Sequence, residues 1–212
     1  MDVIVFDLGG VLIDWNPEYL YRQIFADRSE MRMFLNEICT QEWNEEQDAG
    51  RSAMEATEEL VACHPHYEDA IRAYYGRFGE MIAGAMDDSV VLLERLHVQG
   101  RHRLLALTNW PAETFPLAEA RFDFLKRFEG VFVSGREGVK KPDREIFTRF
   151  MERYQVAPAR CLFIDDNSDN VEAAKAVGMQ ALQFVDSLDL EKNLFKMSLL
   201  NDVKSVTTQR EI

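Results

Sequence analysis

The chain has 212 residues, 47% hydrophobic and 29% charged, a composition that can bury one core and is far from that of a disordered chain. Asp and Glu outnumber Lys and Arg by 37 to 24, so the formal net charge of −13 repels nucleic acid and anionic membranes, and neither is an expected partner. No apolar run approaches the ~20 residues of a membrane helix, the opening residues do not form a signal peptide, and a cytoplasmic location is expected. Cys39, Cys63 and Cys161 are odd in number and lack a Cys-x-x-Cys pair, so reduced thiols are expected.

In chain order, Val3-Ile4-Val5-Phe6 is a short apolar run that ends at Asp7 and the Gly9-Gly10 pair, the pattern of a buried parallel strand entering a tight loop. Residues 15–85 then show helical periodicity and no convincing strand, as in Tyr19-Leu20, Ile24-Phe25 and Ala70-Ile71, Tyr74-Tyr75, Phe78. Within that interval residues 41–51 are unusually polar around Trp43 and predict a loop. Strand patterns return at Leu104-Leu105-Ala106-Leu107, Val131-Phe132-Val133 and Cys161-Leu162-Phe163-Ile164, each running into polar or small residues. Helical stretches over 112–128, 143–154 and 168–177 separate them, a last strand is expected within 180–185, and the polar tail from about Asn201 predicts a frayed terminus.

Alternating strands and helices predict an α/β fold, a doubly wound parallel sheet whose ligands bind beyond the carboxyl ends of the strands. The expected division is a core of residues 1–14 and 88–212 with an all-helical insertion at 15–87. Parallel strands share one direction, so Asp7, Thr108-Asn109 and Asp165-Asp166 should gather on one sheet edge. Three carboxylates there would repel one another unless a cation neutralised them, and an all-oxygen set suits magnesium better than zinc.

These motifs in this order resemble the haloacid dehalogenase (HAD) superfamily over essentially the whole chain. Phe6-Asp7-Leu8-Gly9-Gly10-Val11-Leu12 is similar to its nucleophile loop and Leu107-Thr108-Asn109 to its Ser/Thr motif. Lys141-Pro142-Asp143 is similar to its lysine motif, and Phe163-Ile164-Asp165-Asp166-Asn167-Ser168 to its acidic motif. The insertion stands where subfamily I members carry a helical cap. The resemblance implies a phosphatase acting on a small phosphate ester, such as a sugar phosphate or nucleotide, through an aspartyl-phosphate on Asp7. It implies Mg2+ held by Asp7, the Gly9 carbonyl and Asp166 with help from Asp165. Thr108 and the Asn109 N–H would meet the phosphoryl oxygens, and Lys141 would stand beside Asp7, with Lys140 a solvated neighbour. Gly9 and Gly10 are candidates to lie against the substrate. Trp43 and Arg51 are candidate cap contacts, with packing and a surface ion pair as the plainer readings.

Two positions depart from the family pattern. Gly9 replaces the usual second Asp, the general acid and base, whose help is typically worth ~10²–10⁴-fold in rate. Asp14 is the nearest substitute in sequence, with a helix cap or hinge role as its alternative. Asn170 stands where some relatives carry a carboxylate. The rival functions are metal-free dehalogenation of a 2-haloacid by the same Asp7, and a catalytically silent binding protein on this fold.

Overall fold

Four apolar segments and the more polar edge strand Gln180–Gln183 build one parallel sheet in the computed structural model, which describes residues 1–201. Its central strand, β1 (Val3–Phe6), is buried throughout; Ile4 and Phe6 enter the core on one face, Val3 and Val5 the core on the other. Burial on both sides explains why the strand is apolar at every position.

Beyond the Asp7 loop the chain forms β2 (Ile13–Trp15) and then five helices: α1 (Glu18–Ile24), α2 (Arg28–Glu37), α3 (Gln41–Asp48), α4 (Ala53–Cys63) and α5 (Glu68–Gly76). β3 (Ile82–Ala85) then returns antiparallel to β2, with Ile13 opposite Ala85 and Asp14 opposite Gly84. The interval expected to lack strands therefore has one at each end. Neither has the length or alternation that marks a strand in sequence. A second correction concerns residues 41–51, expected as a loop. Most of this segment is α3, capped by the Thr40 side chain, which accepts a hydrogen bond from the Trp43 N–H at 3.1 Å. Its buried residues are Asn44, Gln47 and Asp48, so it has no apolar stripe to reveal it.

The rest alternates as expected: α6 (Asp87–Gln99), β4 (Arg103–Thr108), α7 (Phe115–Arg121), β5 (Gly130–Val133), the single turn α8 (Ser134–Glu137), α9 (Arg144–Tyr154), β6 (Cys161–Asp165), α10 (Ser168–Ala176) and β7 (Gln180–Gln183). A further helix, α11 (Ser187–Lys196), lies beyond the elements predicted from the sequence; it buries Leu190 and Leu194. The polar tail expected to fray lies almost wholly outside the described residues. The sheet order is β5-β4-β1-β6-β7, and Phe6 is level with Ala106 on one side and Ile164 on the other. That register sets the ends of β1, β4 and β6 side by side, where the strand order reverses about β1.

Among the described residues no helix is long and apolar enough to cross a membrane. All three cysteines are free, and burial pushes the thiols of Cys39 and Cys161 up to about 12 and about 11, which makes them poor nucleophiles.

Candidate active site

Asp7 leaves β1 with its N–H donating to the Ile164 carbonyl at 2.8 Å, so the sheet ladder fixes its backbone. The loop turns at Gly10, where φ is +71° and an added Cβ would lie 2.4 Å from Asp166 Oδ2; only glycine fits that approach. Gly9 is different: its φ is not left-handed, and among the described residues a Cβ there would meet nothing within 4 Å.

Lys141 is 2% exposed, and its ammonium joins three strand ends. It lies 2.9 Å from Asp7 Oδ1 and 2.6 Å from Asp165 Oδ2, and donates to the Leu107 carbonyl at 3.1 Å. The Asn109 side chain holds the lysine backbone from both sides, donating to the Lys141 carbonyl at 2.9 Å and accepting from its N–H at 2.8 Å. Asp7 Oδ1 also accepts the Leu8 N–H at 2.7 Å, while Oδ2 takes no hydrogen bond among the described residues. Asp165 is saturated: besides Lys141 it accepts the Asn167 N–H at 2.9 Å and the Asn170 amide at 3.0 Å. Thr108 is 1% exposed and its hydroxyl has no partner among the described residues, an uncommon state for a buried donor that awaits no ligand.

Asp7, Asp165 and Asp166 each present an oxygen within 4.8 Å of the others. Three carboxylates against the one Lys141 ammonium leave two negative charges, which one divalent cation would balance. Burial pushes Asp7 up to about 8; Lys141 opposes that rise, and Asp165 and Asp166 add to it. Asp166 is raised by burial and then by Asp165. Burial works against the Lys141 charge, but Asp165 and Asp7 outweigh it, so its pKa is raised and it stays an ammonium. The Gly9 carbonyl accepts none of the hydrogen bonds that fold the loop. An oxygen-only, electron-rich cluster of this kind fits magnesium.

The family model described as haloacid dehalogenase-like hydrolase matches residues 1–178. The chain belongs to that family. It is 31% identical over 195 residues to a sesquiterpene phosphatase of Aspergillus oryzae, covering 87% of this chain and 90% of that one. It is 25% identical over 203 residues to a D-ribitol-5-phosphate phosphatase of Bacteroides thetaiotaomicron, covering 90% and 95%. The fold is shared with a HAD-like family hydrolase of Porphyromonas gingivalis at TM-score 0.69 and 21% identity, over 92% of this chain and 98% of that one. It is shared also with a HAD family enzyme of B. thetaiotaomicron solved with magnesium and inorganic phosphate, at TM-score 0.64 and 20% identity over 86% and 93%.

In this HAD-like hydrolase a small cavity of about 70 Å³ opens beside Gly9. Asn109 and Trp110 line it from the end of β4; Trp15, Phe78, Asn44 and Asp48 line it from the insertion. Trp43 and Arg51, the candidate cap contacts, do not line it, and the plainer readings hold for both. Trp43 packs edge-on against Tyr74 at 5.2 Å, and Arg51 pairs with Glu46 and Glu59 on the surface. Lys140 is not a free solvated cation either, because it pairs with Glu45 of α3. Asp14 accepts the Tyr19 hydroxyl at 2.9 Å and also stays off the cavity wall. Asn44 and Asp48 went unrecognised in the sequence, since nothing in a polar run shows which of its carboxylates is buried.

Proposed function

We propose that this HAD-like hydrolase is a magnesium-dependent phosphatase that cleaves a small organic phosphate ester through an aspartyl-phosphate on Asp7. The observation that carries the reading is the Lys141 ammonium 2.9 Å from Asp7 Oδ1, which favours the ionised carboxylate while leaving Oδ2 for attack on phosphorus. Asp165 holds that ammonium in place, and Asn109 fixes its backbone. The unpartnered Thr108 hydroxyl is suited to a phosphoryl oxygen, and with the Asn109 side chain committed, its backbone N–H is what remains for the substrate. Asp7, Asp166 and the Gly9 carbonyl would hold Mg2+, which when bound offsets the repulsion between carboxylate and phosphate oxygens. The helices between β2 and β3, within residues 15–87, would then act as a cap over the site, excluding water from the displacement.

Trp15, Phe78 and Trp110 give the cavity an aromatic wall, which favours an apolar alcohol over a polyol as leaving group. The likeness to a sesquiterpene phosphatase supports the same choice. The test is a panel of phosphate monoesters assayed with Mg2+ and with excess chelator. Hydrolysis of a prenyl monophosphate in preference to glucose or ribitol phosphate, lost with chelator and lowered at least ~10³-fold in Asp7→Asn, is expected. Halide release from a 2-haloacid without metal, and no phosphate release, would replace this reading with dehalogenation, for which the excess negative charge around Asp166 has no use.

A further inference from the structure

We propose that Asp48, reaching the site from α3, supplies the acid–base function that the nucleophile loop lacks at Gly9. The inference rests on the phosphatase reading above. The space beside Gly9 is open, since a Cβ there would meet nothing within 4 Å among the described residues, and the cavity that Gly9 lines is also lined by Asp48. Asp48 is 7% exposed. Its Oδ1 has no hydrogen-bond partner among the described residues, and its Oδ2 has only the Asn44 amide at 3.4 Å.

Once ionised, a carboxyl in that condition works against stability. Burying it without partners costs free energy, and as the last residue of α3 it stands at the negative end of the helix dipole. Its placement is nonetheless specified. The Tyr75 hydroxyl donates to Asn44 Oδ1 at 3.0 Å or to Gln47 Oε1 at 2.8 Å, which turns the Asn44 amide toward Asp48. The Glu45–Lys140 ion pair docks the same helix on the catalytic core. Just past the helix Gly50, at φ +94°, passes so close to α8 that a Cβ would lie 3.2 Å from the Gly135 carbonyl oxygen and from Gly138 Cα.

The electrostatic setting suits a group that must give and take a proton. Burial pushes Asp48 up to about 7, Glu45 adds to the rise, and Lys140 and Lys141 oppose it. The other titratable groups facing it are Tyr74 and Tyr75. Near neutral pH both protonation states are accessible, as a residue acting as acid and then as base requires. Asp14, nearer in sequence, is engaged by Tyr19 off the cavity wall.

The proton balance has two halves. As Asp7 forms its bond to phosphorus, the bond from phosphorus to the ester oxygen breaks and that oxygen takes the Asp48 proton, leaving as the alcohol. The Asp48 carboxylate then takes a proton from the water that attacks phosphorus, the Asp7–phosphorus bond breaks, and phosphate leaves with both carboxyl groups restored.

The test compares an alkyl phosphate with p-nitrophenyl phosphate in wild type, Asp48→Asn, and Asp48→Asn combined with Gly9→Asp, all with saturating Mg2+. Asp48→Asn is expected to lower alkyl turnover by ~10²–10⁴-fold and aryl turnover by less than about tenfold, because nitrophenolate needs no proton to leave. Gly9→Asp, which the backbone and the open space permit, is expected to return part of the alkyl rate, and that recovery also shows that the Asp48→Asn chain folds. Equal losses on both esters, or an unchanged alkyl rate, would overturn the acid assignment while leaving the phosphatase reading standing. A wild-type protein that releases phosphate from neither ester would remove both.

Discussion

Lys141 shows how much of the site depends on one buried charge. Replacing it with Met leaves Asp7 and Asp165 buried without their cation, a change that typically costs ~3–5 kcal/mol. Urea melts of Lys141→Met should show the loss, and it should be larger at pH 8 than at pH 5, where a proton can stand in for the ammonium. Asp48 behaves in the opposite sense. Its folded pKa is raised from 3.8 to about 7, so the folded state binds a proton more tightly than the unfolded chain does. Its contribution to stability is therefore full below pH 4 and is lost as pH rises through 7. Asp48→Asn cannot titrate, so its stability relative to wild type should climb from pH 4 to pH 8, by at most about 4 kcal/mol for a rise of about three units. Thermal melts at fixed Mg2+ measure this, and a variant that melts lower than wild type at pH 8 would mean that Asp48 makes stabilising contacts after all.

At the scale of elements, legibility followed burial chemistry. β1, β4 and β6 were visible because strands covered on both faces have near-continuous apolar runs, and it was the convergence of their polar ends, rather than any one of them, that singled out Asp7, Thr108 and Asp165. α9 was visible through Ile146, Phe147 and Phe150. α3 was not, because what it buries is an amide, another amide and a carboxyl facing a cavity, and sequence periodicity registers only apolar stripes. The ribbon of β2 and β3 escaped for want of length. Trp43 and Arg51 were the conspicuous residues of the α3 segment, yet one fills an aromatic cluster and the other a surface ion pair. The docking of α3 makes its own prediction. Gly50→Ala adds a Cβ at a left-handed φ against Gly135 and Gly138, which should prop the helix away from the core. Lower kcat and higher KM together, with about 1 kcal/mol or more of lost stability, are expected, and steady-state kinetics beside a melt will separate the two effects.

For the whole molecule the dominant quantity is a net charge of −13, which would face the anionic phosphate ester proposed as substrate. The long-range field slows encounter, and salt screens it over a Debye length of about 8 Å at 0.15 M. At saturating Mg2+, kcat/KM should therefore rise as ionic strength increases from about 0.01 to 0.15 M, whereas a site fed by attractive steering would show a fall. Stopped assays across a sodium chloride series decide between them.

The position of β1 at the centre of the sheet also sets an order of assembly during synthesis. Its two neighbours are β4, which begins at Arg103, and β6, which begins at Cys161. About 100 residues must leave the ribosome before the first of these can pair, some 5–20 s at ~5–20 residues per second. For that interval Val3-Ile4-Val5-Phe6 is an unpaired apolar β segment followed by a helical insertion that needs no strand partner outside itself. Nascent chains stalled before residue 103 should accordingly be captured by apolar-binding chaperones through this segment, and chains stalled well past residue 165 should be released.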